Sequence, residues 1–294
     1  MKPIHIMLNG MPGNVASIIA GHIADDTRLN LLPFSMTGQE IIEKRCVIKS
    51  LNKNIDVTLV KPEERELIIQ EIMQKFPDMI AVDFTHPTAV NSNAQFYTRF
   101  DIPFVMGTTG GDRELLENTV LSSSISAVIA PNMAKQIVGF QAMMEYAADT
   151  FPDLFKGYIL EIKESHQKGK ADTSGTAKSM VKYYNRLGIP YSENEIFMER
   201  DPDIQKGEWH IPEQYIAGHA WHTYTLTSPG NTAQFQFSHN INGRDIYAQG
   251  TIDAIIFLQS KLQSDKKMLE NGENTSAIDK KGKIYTMIDV LKGI

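Results

Sequence analysis

One stretch of the 294-residue chain gathers the side chains that move protons and hold anions: Glu164-Ser165-His166-Gln167-Lys168-Gly169-Lys170-Ala171-Asp172-Thr173-Ser174-Gly175-Thr176. His166 is the member whose ordinary pKa allows proton donation near neutral pH. Lys170 is a cation suited to holding an anion or to stabilising negative charge as it develops. Ser174, Gly175 and Thr176 stand before a helical pattern, where hydroxyls and open N–H groups suit a carboxylate as readily as an ordinary N-cap. Lys163, Lys168, Lys178 and Lys182 add positive charge nearby, in a chain of formal net charge -6. An anionic ligand must therefore be attracted by this cluster, because the field of the whole molecule repels it. Read bare, the segment fits an anion-binding loop ahead of a helix, and it also fits a solvated basic loop with a cap.

A second constellation sits near the N-terminus. Gly10, Met11, Pro12, Gly13, Asn14 and Val15, followed by the small Ala16, separate an apolar run from a helical one. Glycines there let the backbone turn tightly and approach a ligand, and the helix start favours a pyrophosphate. The spacing G-x-x-G-x-x-A also suits a glycine-rich turn without a ligand. Where a preference for NADH often places an acid, at the end of the second strand, the chain reads Phe34-Ser35-Met36-Thr37-Gly38. Ser35 and Thr37, with Lys44 or Arg45 nearby, fit a 2′-phosphate, which favours NADPH and leaves NADH open. Three further strand ends carry small, hydroxyl or turn residues where a dinucleotide would lie: Asp83, Phe84 and Thr85; Gly107, Thr108 and Thr109; and Pro131, Asn132 and Met133. Each alone reads as ordinary turn chemistry.

The elements that must position these residues change character along the chain. Apolar runs at Ile4–Asn9, Leu29–Phe34, Asp56–Val60, Met79–Phe84, Pro103–Gly107 and Ser126–Ala130 alternate with helical patterns, which predicts a Rossmann-like parallel sheet covered on both faces. Beyond a long helix over Ala134–Thr150, the chain predicts an α+β domain with a mixed sheet. Its strands are Tyr158–Glu164, Ala220–Thr227, Ala233–His239 and Asp245–Gly250, with a helix at Thr176–Leu187. A helix at Ile252–Leu262, a loop at Ser264–Ser276 and a short element at Ile284–Leu291 close the chain. The expected domains are residues 1–132 with 251–294 for the dinucleotide, and 133–250 for substrate binding and oligomerisation. Hinges are expected near Ala130–Ala134 and Gly250–Asp253.

These residues together resemble a known family. The order His166…Lys170-Ala171-Asp172…Ser174-Gly175-Thr176-Ala177 is similar to the motif of dihydrodipicolinate reductases. The likeness extends to the glycine loop, Asp83-Phe84-Thr85, Gly107-Thr108-Thr109-Gly110, Ala130-Pro131-Asn132 and Gly243-Arg244…Ala248. Gly218-His219-Ala220-Trp221-His222-Thr223-Tyr224 resembles the plant-type branch. Gln167 stands where common bacterial members carry a second histidine. The resemblance implies NAD(P)H-dependent reduction of a cyclic, imine-bearing dicarboxylate to tetrahydrodipicolinate, in diaminopimelate and lysine biosynthesis. It implies His166 as the acid or the group stabilising the reacting ring, Lys170 as carboxylate holder and charge stabiliser, Ser174, Gly175 and Thr176 as the second anchor, and a homo-oligomer. His219 and Arg244 are further candidates. Two other readings stay open: a different two-domain amino-acid-pathway dehydrogenase, and a non-catalytic NAD(P)-binding sensor.

Bulk properties set the remaining bounds. With 42% hydrophobic and 22% charged residues, the composition is that of an ordinary globular protein. One cysteine, Cys46, excludes an intrachain disulfide and supplies no metal framework. The acidic balance argues against nucleic acid and anionic membrane surfaces as partners. No signal-like or membrane-spanning stretch is visible, so the expectation is a cytoplasmic protein acting on a small molecule.

Overall fold

The computed structural model describes residues 2–270 and 281–293. The chain divides into two compact units, residues 1–135 with 245–294, and 136–244. In the first unit, β1 (Ile4–Asn9), β2 (Leu29–Leu31), β6 (Ile80–Asp83), β7 (Phe104–Met106), β8 (Ser126–Ile129) and β13 (Lys283–Tyr285) form one sheet in the order β13-β8-β7-β6-β1-β2. Every pairing in it is parallel. Such strands are covered on both faces, which is why Ile6, Leu8, Val82, Phe104 and Val128 are wholly buried despite pointing both ways. On one face, helices Arg65–Lys75, Val90–Arg99 and Arg113–Leu121 supply Ile69, Ile72, Val90, Ala94, Tyr97, Leu116 and Val120 to a shared core. Helices Asn14–Asp25 and Asp245–Glu270 pack against each other, and the longer one also packs on β7 and β8.

The strand order reverses at β1. The chain leaves β1 for β2 on one side and returns to β6 on the other. Ligands of open parallel sheets bind beyond the strand ends at such a reversal, and the glycine loop and the Asp83 turn lie there.

Two expectations for this unit are corrected. The run Leu29–Phe34 is not one strand, because Pro33 lacks an N–H and cannot continue the ladder. β2 stops at Leu31, and β3 (Phe34–Met36) joins a separate sheet with β4 (Arg45–Lys49) and β5 (Asn54–Val60), in the order β3-β5-β4. Asp56–Val60 therefore belongs to this small sheet, and its partner β4 is a strand the apolar pattern did not mark.

The second unit is a mixed sheet, β10-β9-β11-β12, built from β9 (Ile159–His166), β10 (Phe197–Glu199), β11 (His219–Thr227) and β12 (Gln234–Asn242). β9 runs antiparallel to β11 and parallel to β10. Helices Lys135–Thr150 and Gly175–Arg186 cover one face, where Met144, Ala148, Met180 and Tyr184 meet Leu160, Ile162, Tyr224 and Leu226.

Asp245–Gly250, expected as β-structure, is the start of the helix Asp245–Glu270. Gly243, at φ +76°, ends the preceding strand. The buried Ala248, Ile252 and Ile255 recur at helical spacing. Gly250 is needed inside this helix: a Cβ there would lie 1.8 Å from the Met133 carbonyl oxygen. The expected loop at Ser264–Ser276 is helical through Glu270; its remainder lies outside the described residues. The expected short element at Ile284–Leu291 resolves into β13 and the helix Met287–Lys292.

Candidate active site

At the strand ends of the first unit, one carboxylate organises the loops. Asp83 is fully buried. Its Oδ1 accepts from the Thr85 N–H (3.2 Å), Thr85 Oγ1 (2.8 Å) and Thr108 Oγ1 (2.6 Å). Its Oδ2 accepts from Asn93 Nδ2 (2.9 Å) and the Tyr97 hydroxyl (2.7 Å). Burial, then the Asp83 charge, push the Tyr97 phenol well above its ordinary range, so it stays a donor. Asn9 closes the network, donating to Tyr97 Oη at 2.9 Å and accepting the Met36 N–H at 2.9 Å. Asp83 thus holds three strand ends in register.

Ser35, expected to touch a 2′-phosphate, is also fully buried, and its hydroxyl accepts the Met11 N–H at 3.2 Å. It fastens the glycine loop from behind. Thr37 is buried as well. Met11 and Thr108 turn inward, whereas Pro12, Gly13, Asn14 and Thr109 are exposed, and Val15 is half-buried. Gly10 stands at φ +105°, and a Cβ there would meet the Phe84 carbonyl oxygen at 2.2 Å. A Cβ on Gly107 would strike the Phe84 ring at 2.4 Å. At Gly10 the positive φ and the backbone contact admit only glycine, whereas at Gly107 a side chain would require the Phe84 ring to move. At the end of β8, Pro131 is exposed, Asn132 accepts the Ala134 N–H at 2.9 Å, and Met133 is buried. The helix Asn14–Asp25 has no side-chain cap and no acidic residue in its first turn, which fits the pyrophosphate of a dinucleotide.

Sequence reasoning missed Arg65. Its Nη2 donates to the Thr37 carbonyl at 2.9 Å and its Nη1 to Asn93 Oδ1 at 3.2 Å. This sets a cation at the turn where a 2′-phosphate would be read. Glu40 is the acid of that turn: a Cβ on Gly38 would meet Glu40 Oε1 at 2.1 Å.

In the second unit, Glu164 and His166 occupy the covered face of β9. Register places His222 of β11 directly opposite Glu164, and His239 of β12 opposite His222. Glu164, His222 and His239 therefore form a row across three strands, with His166 beside it. His166 and His222 rings lie 5.1 Å apart, edge to face, and His222 and His239 stack at 4.5 Å. Glu164 Oε1 accepts from Arg200 Nη2 at 2.5 Å, and Oε2 accepts the Ser174 N–H at 3.0 Å. His222 Nε2 and His166 Nε2 face Oε2 at 3.6 and 4.0 Å. Burial pushes the Glu164 carboxyl up, but His222, Arg200 and the Ser174 N–H outweigh it and hold the group at about 2. His166 is drawn down to about 4, by burial first and by His222 next, against the opposing pull of Glu164. His239 falls to about 3 for the same two leading reasons. His166 Nε2 and both nitrogens of His222 are buried without a hydrogen-bond partner.

The loop after β9 is held from outside. Arg200 Nε donates to the Lys170 carbonyl at 2.9 Å, and Gln205 Nε2 donates to the His166 carbonyl at 2.7 Å. Lys170 Nζ pairs with the exposed Asp172 at 2.8 Å and stays partly open to solvent. Ser174 is the N-cap of the helix Gly175–Arg186, accepting the Thr176 N–H at 3.2 Å. Gly175 is exposed, and no acid stands in the first turn of that helix. His166, Lys170, Ser174, Gly175 and Thr176 are thus brought together. His219 is not among them. It lies on the opposite sheet face, where its Nε2 meets Ser165 Oγ at 2.8 Å and its Nδ1 meets the Ile216 carbonyl at 3.1 Å. Arg244 ends this unit beyond β12. Arg200, His222 and His239 were not expected as site residues, because strand register brings in the two histidines and the end of β10 brings in Arg200.

A parallel sheet with an uncapped helix at its reversal point makes the first unit Rossmann-like, and the second is a mixed sheet carrying a buried imidazole–carboxylate cluster. Family descriptions reading "Dihydrodipicolinate reductase, N-terminus" and "Dihydrodipicolinate reductase, C-terminus" match residues 4–133 and 137–291. The chain is 43% identical over 289 residues to 4-hydroxy-tetrahydrodipicolinate reductase 2, chloroplastic, of Arabidopsis thaliana, covering 98% of this chain and 77% of the relative. It is 42% identical over 287 residues to probable 4-hydroxy-tetrahydrodipicolinate reductase 1, chloroplastic, of Oryza sativa subsp. japonica, covering 98% and 78%. A solved structure, dipicolinate-bound dihydrodipicolinate reductase from Paenisporosarcina sp. TG-14, shares the fold at a TM-score of 0.61 and 18% identity, covering 88% of this chain and 95% of that one.

The chain belongs to the dihydrodipicolinate reductase family, in its plant-type branch. It is an NAD(P)H-dependent oxidoreductase of lysine biosynthesis, and the sensor and other-dehydrogenase readings are not favoured. The expectation of a cytoplasmic protein is corrected: the four plant relatives at 41–43% identity are chloroplastic. Among the described residues, no helix is long and apolar enough to cross a membrane.

Proposed function

We propose that this chain reduces 4-hydroxy-tetrahydrodipicolinate to tetrahydrodipicolinate, with His166 as the acid, Lys170 and the Ser174-Gly175-Thr176 helix start as two carboxylate anchors, and the first unit as the dinucleotide module. The observation that carries this reading is the buried, unpartnered His166 Nε2, set in one loop with a cation and an acid-free helix start. A dianion needs two positive anchors. Lys170 supplies one by exchanging the exposed Asp172 for substrate, and the N–H groups of the Gly175 helix supply the other. When bound, the reduced nicotinamide supplies a hydride. Gly10, Met11, Pro12, Gly13, Asn14 and Val15 hold its pyrophosphate. The loops of Phe84–Thr85, Gly107–Thr109 and Pro131–Met133 hold its remainder, with Asp83 and Ser35 supporting them from within.

His166 is neutral in the free site, since burial holds it at about 4. Two substrate carboxylates raise it; the 4-hydroxyl leaves as water to give the conjugated dihydrodipicolinate, and as that ring takes the hydride His166 donates its proton at Nε2. The test mixes the protein with NADPH and the freshly made aldol product of pyruvate and aspartate semialdehyde, following loss of the nicotinamide absorbance. His166→Gln should lower kcat by about 10²–10⁴-fold, the usual worth of a positioned acid, with NADPH affinity unchanged. Lys170→Ala should raise KM and lower kcat. Full activity in either variant would remove these assignments.

NADPH is the proposed preferred cofactor, read by Arg65. Arg65→Ala should then weaken NADPH at least about tenfold more than NADH, as for loss of a charged hydrogen bond. Equal losses, together with a gain for NADPH alone in Glu40→Gln, would assign the turn to NADH. Self-association is proposed through the second unit, where Ile159, Phe197 and Phe235 are exposed; sedimentation of the intact chain reads it.

A further inference from the structure

Gln167 leaves His166 without the neighbouring histidine of the paired motif, yet a second imidazole reaches it from another strand. His222 lies on β11 opposite Glu164, on the same covered face as His166, and is 2% exposed. The Nε2 atoms of both rings face one carboxylate oxygen, Glu164 Oε2, at 4.0 Å from His166 and 3.6 Å from His222. That carboxylate carries Arg200 on Oε1 and the Ser174 N–H on Oε2, so it is already anchored and cannot follow either imidazole.

We infer that His166 and His222 share one proton across Glu164, which makes His222 the positioning residue that sets when His166 is charged. The inference rests on the reading of His166 as the acid. Two imidazolium rings this close, in a buried site already holding Arg200, cannot both form, whereas one is stabilised by the Glu164 charge. The other groups facing the pair do not take the proton. Lys170 and Arg200 are cations, and the Arg200 guanidinium always is. The helix Gly175–Arg186 brings Tyr184, and β11 brings Tyr224, both phenols pushed up by burial. β12 brings His239, whose Nε2 lies 3.2 Å from the Tyr224 hydroxyl, and the helix Lys135–Thr150 sets the Phe140 ring against His239. With one proton between two rings, only one of them is charged at a time. The proton passes to His166 when substrate carboxylates favour charge there, and once His166 has given it to the ring a proton from solvent must refill the pair before the next turnover.

The test is an imidazole ¹⁵N NMR titration of the intact free protein, wild type against His222→Asn, over the pH range in which it stays folded. In wild type, the signals of His166 and His222 should show their upper inflection at one common pH. In His222→Asn, the His166 inflection should move up by about half a pH unit or more, since a competing ring is gone. Separate, single inflections for the two histidines in wild type would overturn the inference, and that measurement needs no variant to fold. Where the variant folds, an unmoved His166 inflection would overturn it equally. In turnover, the descending limb of kcat against pH should move upward in His222→Asn with cofactor KM unchanged; a uniform loss at every pH would mark a merely structural role and sink the idea. The titration involves no substrate, so a coupled pair found alongside a fully active His166→Gln would retire the catalytic reading and leave the coupling standing.

Discussion

His166 is asked to be neutral in one state and charged in another, and its surroundings permit both. Burial and His222 hold it at about 4 in the free protein, while Glu164 pulls the other way. An acid must carry its proton to act, so activity is lost as pH rises through its pKa. Profiles of kcat/KM report the free enzyme, and profiles of kcat report the complex in which substrate charge has raised the group. The descending limb of kcat is therefore expected at higher pH than that of kcat/KM. Coincident limbs, measured with NADPH saturating, would show that substrate charge does not reach His166. At this scale the sequence shows what is linear: His166, Lys170 and Ser174-Gly175-Thr176 follow one another from the end of β9 to the start of the helix Gly175–Arg186. It was not readable where contact arises across strands. Nothing along the chain sets Glu164 against His222, or Arg200 against the Lys170 carbonyl. The nearest available signal was alternation, because His222 and Tyr224 share a strand face two residues apart.

At the scale of elements, the loops of the first unit are shaped by backbone approach more than by side-chain contact. Gly10 is the sharpest instance, since its positive φ and the Phe84 carbonyl oxygen 2.2 Å from a Cβ both forbid a side chain. Strained backbone of this kind costs about 1–3 kcal/mol. Gly10→Ala is accordingly expected to weaken NADPH binding by about tenfold or more, as read by nicotinamide fluorescence, while the second unit keeps its fold. Wild-type affinity would show that the loop can move without loss. The glycine loop and the helices were legible because their periodicities are local. Asp245–Gly250 misled because Ile246 and Tyr247 favour strands, while the helical spacing of Ala248, Ile252 and Ile255 emerges only over a longer window. Leu29–Phe34 misled because one proline decides between one strand and two. Asp83 looked like a ligand contact on account of its position, whereas its five hydrogen bonds make it the internal brace of the turns.

For the whole molecule, the buried imidazoles of His166 and His239, held neutral, tie stability to pH. His166 and His239 have folded values of about 4 and about 3 against ordinary values of 6.5. Below about 6.5 the unfolded chain takes up these protons and the folded one does not. Stability therefore falls as pH drops, on the order of 1.4 kcal/mol per pH unit for each histidine, until the folded values are reached. Glu164, held at about 2 against 4.5, adds a further loss as pH falls below its ordinary value. Thermal melts from pH 8 to pH 5 should show a falling midpoint beginning near pH 6.5, and His239→Phe should flatten that fall. A midpoint level across the range would mean that the row opens to solvent before the protein unfolds.

The arrangement around Glu164 also bears on heredity. Four stretches separated along the chain build the cluster: 164–176, Arg200 and His222 meet at one carboxylate, and His239 stacks on His222. The recognisable signature of residues 164–176 is therefore no portable cassette: spliced into another scaffold, it would bring a histidine and a lysine but neither the guanidinium that secures their loop nor the second imidazole. Drift at one of the four stretches alters the chemical value of the others, and the lineage must inherit them as a set.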